Sequence, residues 1–154
     1  MAPTIIHRGL DFGEGPRWHD GRLWFSDFFR HGVFTLDGDH EELVVEVLGQ
    51  PSGLGWLPDG RLLVVSMLDK RLLVWDGERL AEHANLNAVS EHECNDLVVG
   101  ADGTAYVSIF GFDLHGGAEP RPTRMVVVSP DGTVRVADDE VWFPNGSVIT
   151  PEGR

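Results

Sequence analysis

A single cysteine, Cys94, in 154 residues leaves no internal disulfide framework and no multi-cysteine zinc site to consider. Basic charge is also scarce: 12 Lys and Arg stand against 25 Asp and Glu, a formal charge of −13. No basic stripe interrupts that balance, and it would repel a phosphate backbone, so nucleic acid is not an expected partner. The acidity suits a bound cation and equally suits plain solubility. No run approaches the ~18–20 apolar residues of a membrane helix. Residues 1–8 reach charge before an apolar signal core can form. A reducing, cytoplasmic setting with no membrane contact is the expectation. Helical periodicity is missing as well, since no segment keeps a 3.6-residue apolar period beyond about ten residues. Residues 79–89 have some helical composition but are read as a loop or an outer strand.

Glycine and proline, by contrast, are plentiful. The 19 and 9 residues of these types fall at turns rather than in low-complexity runs. Residues 16–27, 54–66 and 96–108 repeat one pattern of strand, Asp-Gly turn and strand. The turns, at Asp20, Asp59 and Asp102, lie 39 and 43 residues apart. Residues 146–153 begin a fourth copy. Each of the three copies holds a second Asp-Gly turn, at Asp37, Asp76 and Asp131, with short apolar, β-branched or aromatic runs between the turns. Aspartate tolerates and glycine prefers the positive φ angles of tight hairpins. Strands are therefore expected over 23–26, 33–36, 62–66, 72–75, 105–109, 125–129 and 133–136. A period of about 40–50 residues with four short strands per unit signals a β-propeller. The expected fold is all-β: three four-stranded blades and the start of a fourth, one partial propeller over residues 1–154. Its open half-ring would expose sheet edges and favour self-association. The third copy is longer by an insertion at 111–122, which reads either as a binding-face loop or as a solvated decoration.

After the repeat is subtracted, three places stay polar without need. They are Gly13-Glu14-Gly15-Pro16, the cluster Glu91-His92-Glu93-Cys94-Asn95-Asp96, and Phe143-Pro144-Asn145-Gly146. All three precede a blade's first strand, as does Pro51-Ser52-Gly53 in the second copy. In a propeller those starts line the central channel. One carboxylate and two carboxamides would thus converge there, an oxygen set suited to Ca2+ or Mg2+. Taken singly, each motif is ordinarily just a turn. The seven histidines show no ligand spacing on one element, although His92 and the inserted His115 lie near the channel mouth. Cys94 reads as a small buried residue. Ser26, Ser66 and Ser108 recur in one blade phase and read as structural, with no Gly-x-Ser-x-Gly elbow. Trp18, Trp24, Trp56, Trp75 and Trp142 follow the repeat and are expected between blades.

Glu14-Gly15-Pro16 with Trp18 and residues 23–27, then Pro51-Ser52-Gly53-Leu54, Asn95-Asp96 before Asp102-Gly103, and Phe143-Pro144-Asn145-Gly146 form an ordered set. Together they resemble the SMP-30/gluconolactonase/luciferin-regenerating-enzyme family over nearly the whole chain. The resemblance implies a six-bladed propeller with one divalent metal in the channel, calcium first, with Zn2+, Mn2+ or Mg2+ as alternatives. It implies hydrolysis of a small-molecule lactone, by Lewis-acid polarisation of the carbonyl and attack by an activated water. By position, Glu14 and Asn145 resemble metal ligands. Asn95 resembles the channel asparagine that contacts substrate or metal. Glu93 stands where many gluconolactonases place an arginine, so Glu93, His92 and Asn95 are the expected substrate contacts. The family's last ligand and favoured base, an aspartate in a later blade, is expected beyond Arg154, which makes the chain a C-terminally truncated form of the family. By the same analogy, residues 4–7 are a strand that would complete the last blade and close the ring, and with that blade absent it has no partner.

Overall fold

A computed structural model of the chain describes residues 2–151. Its strands fall around the expected turns. The first sheet holds β1 (Gly13–His19), β2 (Arg22–Asp27), β3 (Gly32–Asp37) and β4 (His40–Glu46). The second holds β5 (Pro51–Trp56), β6 (Leu62–Ser66), β7 (Arg71–Trp75) and β8 (Leu80–Asn85). The third holds β9 (Cys94–Val99), β10 (Ala105–Ile109), β11 (Pro122–Val128) and β12 (Val134–Trp142). Each sheet is an antiparallel meander in chain order. Among the described residues there is no helix, and 79–89 carries β8, the last strand of its sheet.

The Asp-Gly pairs close these hairpins by two different devices. At Asp20-Gly21 both residues have positive φ, 48° and 76°, the two-residue turn whose twist matches the flanking strands. At the other turns between long strands only the glycine does, with φ of 88° at Gly60 and 84° at Gly103. There the aspartate serves as an acceptor. Asp59, Asp76, Asp102 and Asp131 each take the backbone N–H two residues on, at 2.9–3.1 Å. The four carboxyls are held below their ordinary range, Asp59 first by the Arg61 side chain and then its N–H, and Asp76 first by the N–H of Arg79 and then that of Glu78. Asp102 and Asp131 are held by the N–H and then the side chain of Thr104 and Thr133.

Two layers of core lie between the three sheets. Leu63, Val65, Leu72 and Leu86 of the second sheet face Leu97, Val107, Val126 and Val128 of the third. On its other side, Leu54, Leu62 and Val64 meet Val33, Val45 and Val47 of the first sheet. The middle sheet is therefore buried on both faces, which is why 62–65 reads as an unbroken apolar run instead of alternating. Burying each such side chain stabilises by roughly 1.5–3 kcal/mol. The sheets touch mainly through their first strands, β1 against β5 and β5 against β9. That radial arrangement of twisted meanders is the blade packing of a propeller.

Several expectations need correction. Residues 4–7 join no sheet. They lie across the side-chain face of the first sheet rather than along a strand edge. Ile5, Ile6, His7 and Leu10 bound a cavity of about 300 Å3 over Leu23, Phe25 and Leu36, and His7 Nε2 is 2.7 Å from Glu41 Oε2. Trp24, Trp56 and Trp75 do pack between the first two sheets, but Trp18 and Trp142 are exposed. Trp18 pairs with Leu23 on the first sheet's far face, where among the described residues no sheet opposes it, and Trp142 ends the edge strand β12. In the fourth copy, residues 146–151 form no strand and lie over the third sheet, while the turn at Glu152-Gly153 is outside the described residues.

Candidate functional site

The first strand of every sheet carries a β-bulge at its start. Gly15 and Pro16 together oppose Phe25, Ser52 and Gly53 oppose Val65, and Asn95 and Asp96 oppose Ser108. A bulge turns side chains off the regular alternation, a device common beside functional sites. Glu14, Ser52 and Asn95 thus sit inside the first strands, not ahead of them, with Glu14 opposite Ser26 and Asn95 opposite the equivalent Ser108, whereas Asn145 lies outside any strand. Two glycines make the close approach of these strands feasible. A Cβ on Gly15 (φ +54°) would lie 2.7 Å from the Ser52 carbonyl oxygen, and one on Gly53 would lie 2.4 Å from Leu97 N.

Hydrogen bonds then fix the bulges. Ser26 Oγ donates to the Ser52 carbonyl at 2.5 Å, tying β2 to β5, with the Glu14 carbonyl 3.1 Å away. Ser108 Oγ accepts from Asp96 N at 2.8 Å and faces Asp96 O at 3.1 Å. The third recurrent serine, Ser66, has its hydroxyl buried without a hydrogen-bond partner among the described residues. Ser52 Oγ donates to Asn95 Oδ1 at 3.3 Å, which orients a carboxamide that is almost wholly buried. Asp96, also buried, accepts from Arg17 Nη2 at 2.7 Å and from Leu97 N at 2.8 Å, so an ion pair links the first and third sheets.

Glu14, Asn95 and Asn145 line one cavity of about 570 Å3, together with Gln50 and the inserted His115. This is the size range of small-molecule sites. Its other walls are apolar and come from the loops following the second strand of each sheet, such as Phe28, Met67 and Phe110, with Phe12 from before β1 and Phe143 from after β12. The insertion at 111–122 therefore contributes to the cavity through Leu114 and His115. His92 lies elsewhere, in a separate cavity of about 330 Å3 near Arg121, whose Nη2 is 3.4 Å from His92 Nε2. Glu93 lines neither cavity; its backbone carbonyl accepts from Phe110 N, and its Oε2 is buried without a partner among the described residues. Cys94 is buried, and that burial pushes its thiol up to about 12.

The oxygen-bearing side chains of Glu14, Asn95 and Asn145 on this lining are a carboxylate and two carboxamides, with Asn95 held by Ser52. That set fits a hard divalent cation. Among the described residues, no group of three or more His, Cys, Asp or Glu side chains is placed to hold a metal.

Sequence reasoning missed two groups. Asp27, fully buried, accepts from Asp11 N at 2.8 Å, Phe12 N at 3.0 Å and Arg30 N at 3.3 Å, and so anchors both loops flanking Glu14. The apolar loop residues also escaped. Their signal was a pair of large apolar residues within three positions after each recurrent serine, Phe28-Phe29, Met67-Leu68 and Ile109-Phe110, where a surface turn is ordinarily polar.

Comparison with known proteins gives a consistent picture. The family description "SMP-30/Gluconolactonase/LRE-like region" matches residues 12–154. No curated protein matches the sequence. A structural-genomics gluconolactonase candidate superposes with a TM-score of 0.78 at 20% identity, covering 97% of this chain and 56% of its own. Regucalcin from Agrobacterium tumefaciens, a calcium-binding protein, gives 0.64 at 20% identity over 82% of this chain and 43% of its own. A gluconolactonase from Xanthomonas campestris gives 0.62 at 18% identity over 84% and 48%. The chain thus spans about half the length of these structures, and the likeness to them is one of fold.

Proposed function

The chain belongs to the SMP-30/gluconolactonase/LRE-like family, and from that membership we propose that its cavity is the cation and substrate site of a lactone-opening hydrolase. The observation that carries this reading is the meeting of Glu14, Asn95 and Asn145 in one cavity. In the reaction the oxygen of water bonds to the lactone carbonyl carbon and the ring C–O ester bond breaks. The leaving oxygen takes up a proton, and the hydroxy acid formed releases one to solvent.

Glu14, Asn145 and Asn95 would hold the cation, calcium first, with magnesium, manganese or zinc as alternatives. When bound, it supplies Lewis-acid polarisation of the carbonyl. Glu14 brings the only carboxylate among the three and so the charge that opposes the cation's. Asn95, fixed by Ser52, presents a carboxamide whose direction is set before any ligand arrives, so little ordering remains for binding.

Titration of released acid over a panel of small lactones tests this, with Ca2+, Mg2+, Mn2+, Zn2+ or EDTA and with Glu14→Gln beside the wild type. Turnover that requires metal and Glu14 is the expected result. Turnover indifferent to either would sink the mechanism. A second reading, a non-catalytic calcium-binding propeller, is favoured by the likeness to regucalcin. Calcium binding without hydrolysis of any lactone would select it.

A further inference from the structure

The walls of the cavity carry information on substrate class that the polar residues do not. Five large apolar side chains on its rim, Phe12, Phe29, Leu68, Leu114 and Phe143, are between 39% and 59% exposed. They contribute little to the buried core, and they come from loops of all three sheets. Contiguous exposed apolar surface of this kind marks a ligand groove.

The wall is also built in advance. Phe12 stacks on Phe28 with ring centroids 4.9 Å apart and meets Phe29 edge-on at 6.0 Å. Phe12 N is held by the buried carboxylate of Asp27, and Phe28 N donates to Phe12 O at 3.0 Å. On the opposite side Phe143 stacks on Phe110 at 5.3 Å while its backbone keeps a φ of 45°, an unfavourable region for a bulky residue. A strained aromatic and a buried carboxylate are thus both committed to shaping apolar surface.

The polar inventory points the same way. If Glu14, Asn95 and Asn145 are committed to a cation, Gln50 and His115 are the remaining polar side chains on the lining. A sugar lactone would place several hydroxyls against these walls. Each hydroxyl buried without a partner weakens binding by about 5- to 100-fold. An alkyl or aryl group meets no such penalty and gains about fourfold per buried methylene.

We propose that this cavity takes lactones bearing an alkyl or aryl substituent, with the lactone carbonyl toward Glu14, Asn95 and Asn145 and the substituent against the Phe12, Phe29 and Leu68 wall. The proposal rests on the reading of the cavity as a lactone site.

Lactams test it, being close in shape and inert to hydrolysis. With Ca2+ present, calorimetric titration of the 154-residue chain would compare D-glucono-δ-lactam with δ-valerolactams carrying methyl, propyl or pentyl at the ring carbon next to nitrogen. The pentyl compound is expected to bind at least 100-fold more tightly than gluconolactam, with affinity rising about fourfold per methylene. Phe29→Ser should weaken the pentyl lactam about tenfold and leave gluconolactam unchanged. Phe29 lies in an exposed loop, and an unaltered urea midpoint confirms that the variant folds. Gluconolactam binding as tightly as the pentyl compound, a flat alkyl series, or no lactam binding at all would overturn the proposal. Failure of the hydrolase reading looks different: alkyl lactams bind in the predicted order while the matching lactones stay intact. Glu14-dependent hydrolysis with the order reversed would leave the enzyme reading standing and remove this one.

Discussion

Substituting Gly53 by alanine strikes the narrowest point between the second and third sheets. The added Cβ would lie 2.4 Å from Leu97 N, 2.6 Å from Asp96 Oδ1 and 2.7 Å from Asp96 C. Two of these are backbone atoms, which no rotamer change can relieve, so β9 must move by about 1 Å to restore ordinary contact. Overpacking of this kind costs about 1–3 kcal/mol. Moving Asp96 also weakens its bonds from Arg17 Nη2 and Leu97 N, 2.7 and 2.8 Å long, and a charge-assisted bond is worth about 1.5–3 kcal/mol. Alanine returns about 0.4–1 kcal/mol by restricting the unfolded chain. The net loss is therefore about 3–4 kcal/mol, or roughly 10 °C in Tm for a chain of this size. Urea unfolding followed by tryptophan fluorescence reads it directly. Two further substitutions calibrate the result. Gly60→Ala meets nothing within 4 Å and carries only the strain of φ +88°, about 1–2 kcal/mol. Gly55→Ala meets the tips of Val99 and Leu97, which can rotate away. If Gly53→Ala costs no more than Gly60→Ala, the strands do not meet where the structure places them.

Two other outcomes follow from charge and burial. Cys94 is buried and its thiol stands at about 12, so a disulfide reagent at pH 8 should modify it only as fast as the chain opens, with rapid labelling in urea; immediate labelling of the folded chain would contradict its position in the core. Glu41 receives Arg30 Nη1 at 3.0 Å and a second bond from Nη2, and the Arg30 bond, followed by that of His7, holds its carboxyl below the ordinary value of 4.5 against the opposing effect of burial. The lowered value means that this stabilisation is fully present above about pH 4.5 and is lost as pH falls through the folded value. The stability gap between wild type and Glu41→Gln should thus be largest at pH 6 and close toward pH 3 in urea melts, and a gap that widens with acid would refute the pairing.

Much of the fold was legible because turn chemistry is local. Asp20-Gly21, Asp59-Gly60 and Asp102-Gly103 close hairpins where their spacing put them, since glycine's φ and aspartate's acceptor oxygen act within two or three residues. Glu14, Asn95 and Asn145, which line one cavity, stand out in the sequence because departures from a repeat are visible once the repeat is known. The bulges were not, since an extra residue in a strand leaves composition and spacing unchanged and appears only in pairing, as where Asn95 and Asp96 share Ser108. Tryptophan burial was misjudged for the same reason. Trp18 and Trp56 hold similar places in the repeat, but only Trp56 has a facing sheet, and the sequence pattern does not record which faces are covered. His92 and Asn95 are three positions apart, yet the path of β9 sends them to different cavities.

The convergence itself is best tested by calcium titration calorimetry on the wild-type chain, Glu14→Gln and Asn145→Ala, each first stripped with EDTA. Asn145 is exposed and outside any sheet, so its loss should leave the fold intact. The wild type is expected to bind one Ca2+, with affinity at least tenfold weaker in Asn145→Ala and lost in Glu14→Gln. Equal affinity in all three proteins would show that these residues do not share a cation site.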